Sequence, residues 1–119
     1  MYCLDTYALW EIMKGNKKYL DVVLSNFVIT DWTLVEFYKT LIKEYDKRTA
    51  EYWLRKFKPY TITVNINILK KAVDFHHEHK KNAISLFDAV GYIFSVENKM
   101  EFVTGDKEFR NKPQVNFIK

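Results

Sequence analysis

Four acidic residues stand where the character of the chain changes. Asp5 directly follows the apolar run Met1-Tyr2-Cys3-Leu4, and Glu36 lies inside a helical stripe that follows Phe27-Val28-Ile29-Thr30. Asp88 comes three positions after Ser85 at the start of another stripe, and Asp106 follows Glu101-Phe102-Val103-Thr104 after one glycine. If four segments bring these carboxylates together, like charges oppose one another's ionisation unless a cation stands between them. Oxygen ligands without a cysteine cluster or convergent histidines suit Mg²⁺ or Mn²⁺, which bind through a few carboxylates, several waters and the phosphate oxygens of a substrate. The chemistry this supports is phosphodiester hydrolysis by an activated water, with one or two ions and no protein nucleophile. A structural reading competes with it. Thr33-Leu34-Val35-Glu36 and Ser85-Leu86-Phe87-Asp88 both fit the capping box, and Asp5 and Asp106 both suit helix N-caps.

Other chemistry-bearing residues are weaker candidates. Lys107, Arg110 and Lys112 follow Asp106 closely, and Lys107 and Arg110 are suited to holding nucleic-acid phosphates, against the alternative of a charged surface turn. Lys39 and Lys43 share a helix face with Glu36. His76 and His79 share a face but lack a third ligand, so a polar helix end is the better reading than a zinc site. Trp10, Trp32, Trp53 and Tyr92 invite a base-stacking interpretation, yet large rings belong first to cores and interfaces.

The elements that must position the acids follow from periodicity. Strands are expected at Met1-Leu4, Phe27-Thr30, Thr61-Val64, Glu101-Thr104 and Val115-Ile118. Between them lie helical patterns: Ala8, Leu9, Ile12 and Met13; a short one with Tyr19, Leu20, Val23 and Leu24; Leu34 to Tyr45; Ala50 to Phe57 before Pro59; Leu69 to His76; and Leu86 to Phe94. Lys107 to Asn111 reads as a single helical turn. Short strands alternating with helices resolve as a mostly parallel sheet with helices on both faces, where ligands bind beyond the carboxyl ends of the strands. Asp5 and Asp106 meet that criterion directly.

At 119 residues the chain suits one domain, residues 1–119, and its 48% hydrophobic content with only three glycines and two prolines excludes a disordered segment. The single cysteine, Cys3, excludes an internal disulfide and a cysteine-rich zinc site and makes a cytoplasmic setting the default. No apolar run approaches a membrane span and no signal-peptide core precedes Asp5, so no membrane partner is expected. A net charge of +4 is compatible with a polyanionic partner without establishing one. The absence of a Gly-x-Gly-x-x-Gly motif argues against a dinucleotide enzyme.

The segments carrying the acids resemble the PIN-domain family, in particular its small toxin-type ribonucleases of the VapC class. The resemblance rests on Leu4-Asp5-Thr6, Thr33-Leu34-Val35-Glu36-Phe37, Leu86-Phe87-Asp88-Ala89 and Val103-Thr104-Gly105-Asp106-Lys107-Glu108-Phe109, in the family's order and across essentially the whole chain. It implies a three-layer α/β/α fold with a central, mostly parallel four- or five-stranded sheet. It further implies a metal-dependent endoribonuclease, homodimeric, acting on RNA and inhibited by a cognate antitoxin protein. Asp5, Glu36, Asp88 and Asp106 would be the metal-binding acids, with Thr6 and Thr104 supporting them, and Asp46 to Lys58 the family's variable region. The alternative from a different class is a PIN-like module that binds a protein partner with little hydrolysis.

Overall fold

A computed structural model describes all residues, Met1–Lys119. Five strands, β1 (Tyr2–Leu4), β2 (Phe27–Thr30), β3 (Thr61–Ile62), β4 (Glu101–Thr104) and β5 (Val115–Phe117), form one sheet in the order β3-β2-β1-β4-β5. Every pairing is parallel, so the expected "mostly parallel" sheet is entirely so. Strand order runs outward from β1 in both directions, which places the topological switch point between β1 and β4. The third strand is shorter than expected, ending before Val64, which is buried beneath the helices instead.

Six helices connect the strands: α1 (Thr6–Met13), α2 (Leu20–Val23), α3 (Asp31–Glu44), α4 (Lys47–Phe57), α5 (Ile66–Glu78) and α6 (Leu86–Glu97). All but the short α2 start from a side chain that accepts a backbone N–H of the first turn: Asp5, Thr30, Asp46, Asn65 and Ser85 respectively. Thr33 is therefore not a cap. It lies inside α3, its N–H bonded to Thr30 Oγ1 at 3.0 Å, and the capping-box reading of Glu36 fails because the helix begins three residues earlier.

The period of two along the strands splits the core into two layers. Leu4 of β1 and Val103 of β4 point to one face, where they pack with Ala8, Leu9, Phe37, Leu41, Ala50 and Phe57 of α1, α3 and α4. Cys3 and Phe102 point to the other, against Ile68 and Ala72 of α5 and Ala89, Val90 and Phe94 of α6. Trp10 and Tyr92 serve these two layers as core-lining rings, Trp10 edge-on to Phe37 and Tyr92 against Phe102 and Phe109. His79 ends α5 with its Nδ1 at 2.9 Å from the Phe75 carbonyl oxygen, as a polar helix end does.

Gly91 sets how closely α6 approaches the sheet. A Cβ built there would stand 3.0 Å from the Phe102 ring and 3.5 Å from Thr33 Oγ1, so α6 crosses both β4 and α3 at a distance only a glycine tolerates comfortably. Gly91→Ala is expected to destabilise the fold by about 1–3 kcal/mol through overpacking. Urea unfolding should show a lower midpoint with an unchanged slope; an unchanged midpoint would show that the contact is slack.

Candidate functional site

The switch point carries the acids. Asp5 follows β1 and its N–H donates to the Val103 carbonyl at 3.2 Å, extending the β1–β4 ladder one residue past the strand and fixing the backbone from which the carboxylate projects. That carboxylate is 2% exposed and accepts the Ala8 N–H at 2.9 Å, so Asp5 is both the cap of α1 and a wall of the cleft. Asp106 leaves β4 through Gly105 and likewise caps the next turn, Lys107–Phe109, by accepting the Glu108 N–H at 3.0 Å. Its own N–H donates to Thr104 Oγ1 at 3.0 Å. Glu36 comes from the second turn of α3, held by a hydrogen bond from the Thr6 hydroxyl to Oε1. Asp88 comes from the first turn of α6, where its N–H donates to Ser85 Oγ at 3.1 Å.

All four carboxylates line one open cleft of about 490 Å³, together with Thr6, Thr40, Lys107 and Lys119. The two structural readings, cap and cleft wall, thus coincide for Asp5 and Asp106. Gly105 is required by crowding at the cleft floor: a Cβ there would overlap the Tyr7 ring and approach the Ile118 carbonyl oxygen to 2.7 Å.

Their electrostatics tie the acids into one network. Burial pushes the Asp5 carboxyl well above the usual carboxylate range; the Thr104 hydroxyl and the Ala8 N–H pull it back, while the charges of Asp88 and Asp106 push it further. Burial raises Asp88 to about 7, with Glu36 and Asp106 adding to the rise and Ser85 opposing it. Glu36 is raised by burial against the opposing hydrogen bond from Thr6 and the charge of Lys39. None of the protein's ion pairs, Lys14–Glu11, Lys70–Asp74 and Lys71–Glu97, engages these acids.

Clustered carboxyls that are buried or half-buried and enter no ion pair with a protein cation call for protons or a bound cation. The donor set is all oxygen and suits Mg²⁺ or Mn²⁺ in chemistry. It is not a closed cage, since no three acid, histidine or cysteine side chains surround a common point. That openness suits a Mg²⁺-type ion, which takes only one or two carboxylates and completes its shell with water and phosphate.

Of the residues singled out in the sequence, Asp5, Thr6, Glu36, Asp88, Asp106 and Lys107 line the cleft, and Thr104 braces Asp5 and Asp106 from β4. Arg110 does not join them. The turn after Asp106 carries its guanidinium over the Phe117 ring of the edge strand, 5.5 Å from the centroid, so its expected place beside the acids is corrected. Thr40, Tyr7 and Lys119 line the cleft without having been anticipated. Thr40 was detectable, lying one helical step of four residues beyond Glu36; nothing in the sequence marks Lys119.

The raised carboxyls have a consequence for stability. Asp88 in the unfolded chain ionises near 3.8 but in the folded protein near 7, so between those values the folded state holds the extra proton. Stability of the cation-free protein should therefore be greatest at the acid end of that window and fall as pH rises through about 7. Thermal unfolding in EDTA at pH 5.5 and pH 8 is expected to show the drop, and Asp88→Asn should lessen it. An equal or larger drop in the variant would place its origin elsewhere.

No protein-family model matches the sequence, and no curated protein does. Solved structures do match. A toxin-antitoxin complex from Klebsiella pneumoniae aligns at TM-score 0.73 and 20% identity over 98% of this chain and 96% of that one. The sarcin-ricin loop cleaving toxin VapC20 of Mycobacterium tuberculosis aligns at TM-score 0.74 and 13% identity over 85% of each chain. VapBC-1 from nontypeable Haemophilus influenzae aligns at TM-score 0.72 and 18% identity over 98% of this chain and 96% of that one. At these identities the likeness is one of architecture, and it agrees with the strand order and layers above: the chain has the α/β PIN-like fold of the VapC toxin structures.

Proposed function

We propose that this protein is a metal-dependent endoribonuclease, the toxin of a toxin-antitoxin pair, with Asp5, Glu36, Asp88 and Asp106 as its metal-binding acids. The observation that carries the reading is four carboxylates from four elements facing one cleft at the switch point, without a paired protein cation. The similarity in fold to a toxin that cleaves the sarcin-ricin loop, and to a chain of a toxin-antitoxin complex, supports the same reading. Mg²⁺ or Mn²⁺ bound there would supply an activated water and neutralise charge on the phosphate.

The protein's own residues have distinct tasks in this reading. Asp5 and Asp106 hold their carboxylates rigidly because each is also a helix cap. Thr6 orients Glu36. Lys107 and Lys119, on the cleft wall, attract the RNA backbone and hold phosphates beside the acids. An antitoxin protein, a homodimeric state and a cytoplasmic setting belong to the same proposal. The free, buried Cys3 is compatible with a reducing compartment, and no helix is long and apolar enough to cross a membrane.

Asp5→Asn and Asp106→Asn are the decisive variants, because asparagine caps a helix as well as aspartate does while removing the charge. Both should stay folded and lose cleavage of a structured RNA pool by about 100-fold or more, and EDTA should abolish cleavage by the parent. Thr6→Val, which leaves the acids in place, should cost about 10- to 100-fold. Undiminished cleavage by Asp106→Asn would refute the assignment of the acids. A parent that binds neither RNA nor Mn²⁺ would move the fold to the protein-binding alternative.

A further inference from the structure

Beyond β5 the backbone at Ile118 is held from three sides. Its N–H donates to the Thr104 carbonyl oxygen at 2.9 Å, carrying the β4–β5 ladder one residue past the strand. Its carbonyl oxygen lies against Gly105 at the cleft floor and accepts the Tyr19 hydroxyl at 2.7 Å. The main-chain oxygen of the next residue, Lys119, accepts Lys18 Nζ at 2.8 Å. Both side-chain donors come from one 3-10 turn, Lys17–Tyr19, between α1 and α2. That turn is itself fixed at its start, where the Asn16 side chain accepts the Lys18 N–H at 3.0 Å and donates to Glu11 Oε2 at 3.2 Å.

The residue that these contacts bracket is Lys119, whose side chain lines the acid cleft with Tyr7. Its ammonium stands over the Tyr7 ring, 6.0 Å from the centroid, and enters no ion pair. A lysine head on a flexible stem keeps its place only as well as its backbone does. Tyr19 supplies a rigid base for that backbone, because its ring is fully buried in the core layer with Leu9, Phe37 and Leu41. Burial, and after it the charge of Asp5, raises the phenol above its ordinary value, so the hydroxyl remains a donor. A buried phenol needs some acceptor in any fold. Here the acceptor is the carbonyl directly before Lys119, and a second donor grips the main chain directly after it.

We propose that Tyr19 is a positioning residue for the acid cleft: with Lys18 it straps the backbone at Ile118 and Lys119, so that the Lys119 ammonium meets an RNA phosphate beside the acids. The proposal rests on the ribonuclease reading and deepens it, because it gives a residue remote from the acids a task in holding the substrate.

Its test reads binding rather than cleavage, by fluorescence anisotropy of 5′-labelled decauridylate in EDTA at rising salt. Lys119→Gln should weaken binding about 5-fold at about 0.1 M salt and make log affinity against log salt shallower by about 0.7, the share of one phosphate contact on a single strand. Tyr19→Phe, which keeps the ring and loses only the hydroxyl, should weaken binding about 2- to 5-fold with a shallower slope. The double variant Tyr19→Phe/Lys119→Gln should bind as Lys119→Gln alone does, because the hydroxyl acts through the lysine. In the unaltered protein the amide resonance of Lys119, in the peptide whose carbonyl Tyr19 holds, should shift on adding decauridylate. An unmoved resonance overturns the proposal even if Tyr19→Phe fails to fold. A lower melting temperature in Tyr19→Phe with affinity and slope unchanged overturns it too, since the hydroxyl then serves the core alone, as do losses that multiply in the double variant. If the unaltered protein binds no decauridylate the strap has no such task; metal-dependent cleavage of structured RNA would leave the nuclease reading standing, and its absence would overturn both.

Discussion

Carboxylates brought together on a low-dielectric floor repel one another, and much of this small structure serves to hold that arrangement in place. The repulsion is set up by the sheet order. Because β1 and β4 are neighbours at the centre while the chain runs outward from β1 on one side and from β4 on the other, the loops leaving them open a crevice with Asp5 and Asp106 at its base. A residue buried as fully as Asp5 would be driven to neutrality by desolvation alone. The fold counters this in part and mainly with dipoles: the Thr104 hydroxyl and the Ala8 N–H at Asp5, the Ser85 hydroxyl at Asp88, and the Thr6 hydroxyl, with the charge of Lys39, at Glu36. These groups orient the acids and offset only part of the rise, so the Asp5, Asp88 and Glu36 carboxyls stay above their ordinary values. The positively charged ligand we propose would meet a rigid site there, and preorganisation of this kind lowers the cost of binding.

The same economy shows in residues with two tasks. Asp5 starts α1 and walls the cleft; Asp106 starts the following turn and walls it too. Capping and a place on the cleft wall do not compete here, because one carboxylate oxygen accepts the backbone N–H and the residue still lines the cleft. This explains why the sequence supported both readings equally: the cap pattern and the cleft pattern use the same residues in the same geometry.

Much of the fold was legible because its signals are local. Period-two alternation in Cys3-Leu4 and Phe102-Val103 sends alternate side chains to opposite layers, and the helical stripes of α3 and α4 survive as core faces. Asp5 and Asp106 were legible from strand ends alone. Asp88 and Glu36 were not, since both lie within helices, and only strand order and helix crossing decide whether they reach the same crevice. The resemblance in motif order supplied what periodicity could not. Arg110 was misplaced because a single tight turn rotates the chain away from the cleft and onto Phe117.

The central proposal is that the acid cleft binds a divalent cation, and calorimetric titration of Mn²⁺ into the metal-free protein at pH 7, in two buffers of different ionisation enthalpy, tests it most directly. Because burial raises the Asp88 carboxyl to about 7, binding should be accompanied by proton release, and Asp5→Asn and Asp88→Asn should each weaken binding together with that release. Binding of equal strength in both variants, or binding with no proton released, would contradict the account.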